Sequence, residues 1–287
     1  MSSKWAHKQK HTNNNDDWLS PDAFILLAIT FVAVQSIGLY VAKILYLNGL
    51  AQAPFTDNIN DITNAIFLFG TILLMTLTII ILLKLRKTKK LLWLVEILAV
   101  FSTSIIVFSA IFPTNDLLVL LFTATLLALR YTNRNNMLFR NLASLVAIAG
   151  AGSFLGISLG LLPVLCFIII LAIYDIIAVF YTKHMVTISK EVTNSNYAFT
   201  VAFPTKKHTF ELGNGDLVIP LVVSASILVN GPFLNNGIIA GLCLGASFIG
   251  LMISIIFVAK KKIPMPALPP QTALMVIVIL ASLLLGL

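Results

Sequence analysis

Two aspartates lie where a membrane protein could use them for chemistry. Asp175 lies inside the apolar run LCFIIILAIYDIIAVFYT, and Asp216 begins a second apolar run in ELGNGDLVIPLVV. An ionisable side chain within a membrane span is costly, so it marks a functional site by default. Two carboxyls in contact share a proton and titrate as a pair. Such a pair can hydrolyse a peptide bond, because the ionised member takes a proton from water while the protonated member hydrogen-bonds the scissile carbonyl.

The same two carboxyls are compatible with three other roles. They could form a structural polar contact, bind the proton or cation of a transporter, or belong to a noncatalytic protein that holds membrane helices. Inverted repeats with paired broken helices would favour a transporter, and the sequence shows no convincing internal repeat. Glu96 is a third acid within a predicted span. It lies near a lysine-rich connection, so we expect it to snorkel or to pair with a lysine.

Composition predicts that lipid is the solvent of this chain. Of its 287 residues, 59% are hydrophobic and only 10% are charged, whereas soluble domains carry about 25% charged residues. The apolar runs are continuous rather than alternating, which favours membrane helices over a closed barrel. The sequence therefore predicts an all-α polytopic protein. Its nine spans are predicted near Phe24–Leu47, Ile62–Leu83, Leu91–Phe112, Leu117–Leu129, Leu142–Gly160, Leu161–Thr182, Asp216–Gly231, Gly237–Ala259 and Pro266–Leu287.

The distribution of basic residues predicts the orientation of these spans. All but one of the 19 lysines and arginines lie in the N-terminal tail or in the even-numbered connections. The exception, Lys43, can snorkel from the outer end of the first span. Cytoplasmic loops collect Lys and Arg, so we expect a cytoplasmic N-terminus and an external C-terminus. The net charge of +8 follows from this bias and requires no nucleic acid.

The spans divide the chain into four regions. Residues 1–23 form a polar tail that we expect to be disordered, and residues 24–182 hold the first six spans. Residues 183–215 form a cytoplasmic connecting loop, and residues 216–287 hold the last three spans. Within the loop, Tyr197–Pro204 is apolar and rich in strand-forming residues. It either pairs with an extended substrate by strand addition or packs on the bundle as an interfacial loop.

Glycines and prolines interrupt regular structure close to the two aspartates. Gly213 and Gly215 precede Asp216, and glycine permits close backbone approach. Irregular backbone at membrane depth is tolerated only where it is buried or lines a cavity. The ninth span begins IPMPALPPQTA, whose prolines prevent a regular helix there. Three irregular elements are therefore predicted at one depth and at one end of the bundle.

Small residues recur at helical spacing in two other spans. A glycine stands at every fourth position in parts of the fifth and eighth spans, a spacing that favours close helix packing. The glycines concerned are Gly152, Gly156, Gly160, Gly237, Gly241 and Gly245.

Three short motifs, in this order along the chain, resemble those of a known family. Tyr174-Asp175 resembles the YD motif of presenilins and signal peptide peptidases, and Gly213–Asp216 resembles their GxGD motif. Pro266-Ala267-Leu268 resembles their PAL motif. The span numbers and approximate depths also agree. The chain is thus similar to the GxGD intramembrane aspartyl proteases, and its lack of large soluble regions resembles the compact archaeal presenilin homologues.

This resemblance implies a function and a set of site residues. Asp175 and Asp216 would be the catalytic pair, cleaving single-span membrane proteins or signal peptides within the lipid bilayer. No cofactor, no metal and no obligatory partner subunit is implied, and the location would be a microbial, archaeal cell membrane. Asn214 stands where many family members have leucine, a departure that bears on the neighbouring substrate pocket. The other expected site residues are Tyr174, Gly213, Asn214 and Gly215 as active-site support, and Pro266, Ala267 and Leu268 as substrate-binding residues.

Other classes of intramembrane protease lack their required residues in this sequence. A zinc protease needs H-E-x-x-H on a helix, which is absent. A rhomboid-like enzyme needs an intramembrane histidine, but all four histidines lie in the tail or in the connecting loop.

Overall fold

The computed structural model of the protein describes residues 21–84, 88–182, 197–204, 209–261 and 265–287. Most of the predicted tail, and two parts of the predicted connecting loop, lie outside these described residues. Within the described residues, nine α-helices and one two-stranded sheet are present. The predicted all-helical bundle is therefore confirmed, with a small sheet added to it.

The helices begin and end close to the predicted spans. They are α1 (Pro21–Leu47), α2 (Thr63–Lys84), α3 (Thr88–Ile111), α4 (Asp116–Thr132), α5 (Met137–Ile157), α6 (Leu161–Ile177), α7 (Gly215–Asn230), α8 (Asn236–Lys261) and α9 (Leu268–Leu285). One π-helical turn, Ala178–Thr182, continues α6.

Six of the described helices, α1, α3, α5, α6, α8 and α9, are long and apolar enough to cross a membrane. The apolar parts of α2 and α7 are shorter, and α4 has only 17 residues. The chain is an integral, multi-pass membrane protein. Large apolar side chains on the outside of the bundle, such as Val32, Leu74 and Leu121, are exposed, as expected of surfaces that face lipid.

Helix α7 lies at the centre of the bundle. It packs against α1, α5, α6 and α8, and nearly every residue from Leu217 to Ile227 is buried. A helix that is hydrophobic on all sides belongs in such a position. Because Asp216 lies in the first turn of α7, the central helix holds this carboxyl at a fixed place in the bundle.

Small residues on α5 allow its close approach to α7, as the spacing predicted. A Cβ atom added at Gly156 would lie 2.5 Å from the Cβ of Ala225, and one added at Gly152 would lie 2.6 Å from a methyl carbon of Leu221. Both distances are shorter than real carbon contacts, so a larger residue at either position would push the two helices apart.

The same prediction is wrong for α8. Within the described parts of the chain, a Cβ added at Gly241 or Gly245 would meet no atom of another helix or strand within 4 Å, and both glycines are exposed. The close approach is made by Gly250, where an added Cβ would lie 2.6 Å from the Cα of Gln271 in α9. The glycine spacing identified a row of small residues on α8 but not the face of α8 that packs against α9.

Alanine substitutions at these two positions of α8 should therefore differ. We expect Gly250→Ala to destabilise the protein by about 1–3 kcal/mol, the usual cost of overpacking. Gly245→Ala is the matched control, and we expect it to be neutral or stabilising because alanine favours a helix over glycine by up to about 1 kcal/mol. Thermal unfolding in one detergent compares the two variants, and equal melting temperatures would contradict this account of the α8–α9 contact.

The sheet joins the loop before α7 to helix α5. Strand β1 (Thr200–Pro204) pairs antiparallel with β2 (Thr209–Gly213), with Thr200 opposite Gly213. On the other edge of β1, Asn141 of α5 donates to the Ala202 carbonyl at 2.7 Å and accepts from its N–H at 2.9 Å. The strand-like composition of Tyr197–Pro204 thus predicted a real strand. Its outer edge is occupied by α5, and β2 leads directly into α7.

Candidate active site

Asp175 is held between α6 and the start of α9. Its side chain lies in the last full turn of α6 and is buried. The backbone N–H of Leu268 donates a hydrogen bond to its Oδ2 at 3.2 Å. Leu268 is the first residue of α9, where N–H groups have no partner within the helix and favour a negative group. The Pro266-Ala267-Leu268 segment is therefore in direct contact with Asp175.

Asp216 faces the same place from α7. It is half-buried and lies in the first turn of its helix, where a carboxylate complements the helix dipole. The carboxyls of Asp216 and Asp175 are close enough to interact electrostatically. The structure thus brings together two acids that are 41 positions apart in the sequence.

A cavity of about 160 Å³ opens beside Asp216. It lies between β2, α8 and the segment before α9, and its walls include Phe210, Ser254 and Ala267. A water molecule occupies about 30 Å³ in the liquid, so the cavity has room for water or for part of a peptide. Pro266, beside Ala267, is buried. Two of the three predicted substrate-binding residues, Ala267 and Leu268, therefore contact the cavity or an aspartate.

The three residues before Asp216 differ in what they contact. A Cβ added at Gly213 would lie 3.5 Å from Oδ2 of Asp216, so the absence of a side chain leaves the approach to this carboxyl open. At Gly215 an added Cβ would meet no other element of the described structure within 4 Å. The Asn214 side chain instead turns toward the segment before β1, and its Nδ2 donates to the Ala198 carbonyl at 3.0 Å. It does not line the described cavity.

Tyr174 supports the helix that carries Asp175. Its ring packs edge-on against Phe69 of α2, with 5.8 Å between the ring centres. This contact connects α6 with α2.

Glu96 has a different partner from the one predicted. Its Oε1 accepts a hydrogen bond from Nε of Arg130 at 2.8 Å, so the partner of this acid is an arginine of α4 rather than a lysine. The same oxygen accepts from the backbone N–H of Ala198 at 3.2 Å. This pair could have been predicted from the sequence, because Glu96 and Arg130 lie in consecutive antiparallel spans, at the same end of the bundle.

Comparisons with known proteins agree with this fold. Residues 28–285 match the family model described as signal-peptide peptidase, presenilin aspartyl protease. Two solved structures of a presenilin family intramembrane aspartate protease, in space groups C222 and P2, are similar in fold. The first has a TM-score of 0.69 and 23% identity, and the match covers 91% of this chain and 98% of that one. The second has a TM-score of 0.67 and 25% identity, with coverages of 94% and 99%. No curated protein matches the chain.

Proposed function

Because this chain belongs to the signal-peptide peptidase and presenilin family of aspartyl proteases, we propose that Asp175 and Asp216 are the carboxyls with which it hydrolyses peptide bonds. Family membership makes the protein an intramembrane aspartyl protease. The observation that supports this pair is that Asp175, which accepts the Leu268 N–H, interacts electrostatically with Asp216, which lines a cavity. The direct test is cleavage of a labelled single-span substrate by the purified protein.

The geometry supports a general acid–base reaction on an activated water. One carboxyl takes a proton from water as the water attacks the scissile carbonyl, and the other, protonated, hydrogen-bonds that carbonyl oxygen. The protonated group later donates a proton to the leaving amine. Leu268 N–H bonds one oxygen of Asp175, which holds this carboxyl in one orientation before substrate arrives.

The sheet is the element that can receive an unwound substrate. A transmembrane helix hides its carbonyls in hydrogen bonds, so it must unwind before cleavage, and its freed backbone groups then need new partners. The outer edge of β1 already bonds Asn141 and Ser144 of α5. That edge of Tyr197–Pro204 is therefore not available to a substrate. We propose that the substrate pairs with β2 instead, which ends at Gly213 beside Asp216.

The orientation and the extent of the membrane region are inferred from charge. We infer that all nine helices cross the bilayer, with the N-terminus in the cytoplasm and the C-terminus outside, because cytoplasmic loops collect Lys and Arg. Residues 24–182 and 216–287 would then be the membrane regions, and residues 183–215 a cytoplasmic connection that contains the sheet. The proposed substrates are single-span proteins or signal peptides, cleaved without an obligatory partner subunit in a microbial, archaeal membrane.

The pH dependence of cleavage tests the shared proton. We expect kcat/KM to follow a bell-shaped profile, because the reaction needs one carboxyl protonated and the other ionised. When either aspartate is replaced by asparagine, kcat/KM should fall to the background rate at every pH, so that neither limb of the profile is seen. A profile that stays flat while chemistry limits the rate would contradict the two-carboxyl mechanism. Circular dichroism across the same pH range serves as the control for unfolding.

A further inference from the structure

A chain of hydrogen bonds connects Glu96, deep in α3, with the turn that carries Asp216. Oε1 of Glu96 accepts from Nε of Arg130 and from the backbone N–H of Ala198. The carbonyl of Ala198 in turn accepts from Nδ2 of Asn214 at 3.0 Å. Glu96 is 102 positions before Ala198 in the sequence, so these bonds join elements that the chain itself does not connect locally.

The backbone hydrogen bonds of Asn214 extend this connection to the start of α7. Its backbone N–H donates to the Phe199 carbonyl at 3.1 Å, and its own carbonyl accepts from the N–H groups of Leu217 and Val218 at 3.1 and 2.9 Å. Asp216 lies between these bonded residues. The position of its carboxyl is therefore set by a turn that is bonded on one side to Ala198 and Phe199, and on the other to the first turn of the helix.

Stability alone gives a weak reason for burying this ion pair. The side chains of Glu96 and Arg130 are only 5% and 6% exposed, and an apolar pair of similar volume is often as stable as a buried ion pair, or more so. Within the described part of the chain, Oε2 of Glu96 has no hydrogen-bond partner. An apolar pair, however, could not accept the N–H of Ala198. That bond is the contribution specific to Glu96.

We propose that Glu96 is a positioning residue for catalysis, acting on Asp216 through Ala198 and Asn214. Arg130 orients the Glu96 carboxylate, Glu96 fixes the backbone at Ala198, and Ala198 anchors the side chain of Asn214. The proposal rests on the proposed catalytic role of Asp216. It also assigns a purpose to Asn214, whose side chain bonds Ala198, before β1, rather than lining the cavity beside Asp216.

A matched pair of variants tests the role of the Glu96 oxygen that accepts the Ala198 N–H. In the Arg130→Met background, Glu96→Gln keeps an oxygen for the Ala198 N–H, whereas Glu96→Leu removes it, and neither variant has a charge at position 96 or 130. We expect the glutamine variant to retain most of the wild-type kcat and the leucine variant to lose about tenfold, the effect of one hydrogen bond, with KM little changed. Equal kcat values for the two variants at equal melting temperature would overturn the proposal.

A second readout does not require proteolysis. Hydrogen exchange at the amides of Asn214, Leu217 and Val218 should be about tenfold faster with leucine at position 96 than with glutamine, because the turn is less firmly held. Ser104→Ala, at a buried position two turns further along α3, is the control and should leave these amides unchanged. Unchanged exchange in the leucine variant would overturn the connection, and faster exchange with unchanged kcat would overturn the positioning role.

The two readouts separate failure of this proposal from failure of the proposed function. If the unmutated protein cleaved no substrate of a broad panel, the proposed function, and with it a positioning role in catalysis, would be rejected. The exchange measurement would still decide whether Glu96 holds the Asn214 turn.

Discussion

Asp175→Asn and Asp216→Asn are each expected to lower kcat for cleavage of a labelled single-span substrate by at least about a thousandfold. A general acid or base contributes a factor of about 10²–10⁴, and the asparagine amide of either variant cannot share a proton with the remaining carboxyl. The two side chains approach one another from α6 and α7. Asparagine preserves their size, so the bundle should remain folded. The measurement is single-turnover cleavage, with substrate binding and melting temperature recorded for each variant.

Asp116→Asn is the matched control for these substitutions. Asp116, like Asp216, lies in the first turn of a helix. It is exposed and is distant in sequence from the motifs that contain Asp175 and Asp216. We expect this variant to cleave normally. Full cleavage by folded Asp175→Asn or Asp216→Asn would reject the catalytic role of that residue. If the unmutated protein is inactive on a broad panel, proton or cation flux in liposomes becomes the next measurement, since the same acids could serve a transporter.

The features that were predictable from sequence are the ones encoded locally. The nine helices of the described residues follow from the lengths of the apolar runs, and the irregular start of α9 follows from its prolines, of which Pro269 and Pro270 lie in the first turn. The meeting of Asp175 and Asp216 was also predictable, because consecutive antiparallel helices place residues near the same end at similar depth.

The features that were not predictable depend on which neighbour a residue faces. The spacing of Gly241 and Gly245 marks a row of small residues but cannot show that this row faces outward, whereas Gly250 makes the close approach to α9. The strand-like composition of Tyr197–Pro204 indicated a strand but not its two partners. One is β2, across a reversal of the chain, and the other is the Asn141 side chain on a helix. Tertiary packing determines each of these outcomes.

The buried ion pair gives the second large expected effect, on stability. We expect Arg130→Met to destabilise the protein by about 3–5 kcal/mol, because it leaves the carboxylate of Glu96 buried without its cationic partner. Arg130 also donates to the Arg134 carbonyl, just after the end of α4, at 2.7 Å, and the loss of this bond acts in the same direction. Unfolding in mixed detergent, followed by circular dichroism, measures the change.

Removing the second charge should reverse most of this loss. In Glu96→Leu/Arg130→Met no charge remains at positions 96 and 130, and the desolvation cost of the pair disappears together with the attraction that offset it. Lys260→Met is the control for loss of a positive charge, because Lys260 is exposed at the end of α8, and we expect it to change stability by less than about 0.5 kcal/mol. If the double variant were as unstable as Arg130→Met, the instability would come from packing around position 130 rather than from an unpaired carboxylate. If it recovers stability but not kcat, the loss of kcat comes from the missing Glu96 oxygen that accepts the Ala198 N–H, and the protein retains Glu96 for geometry rather than for stability.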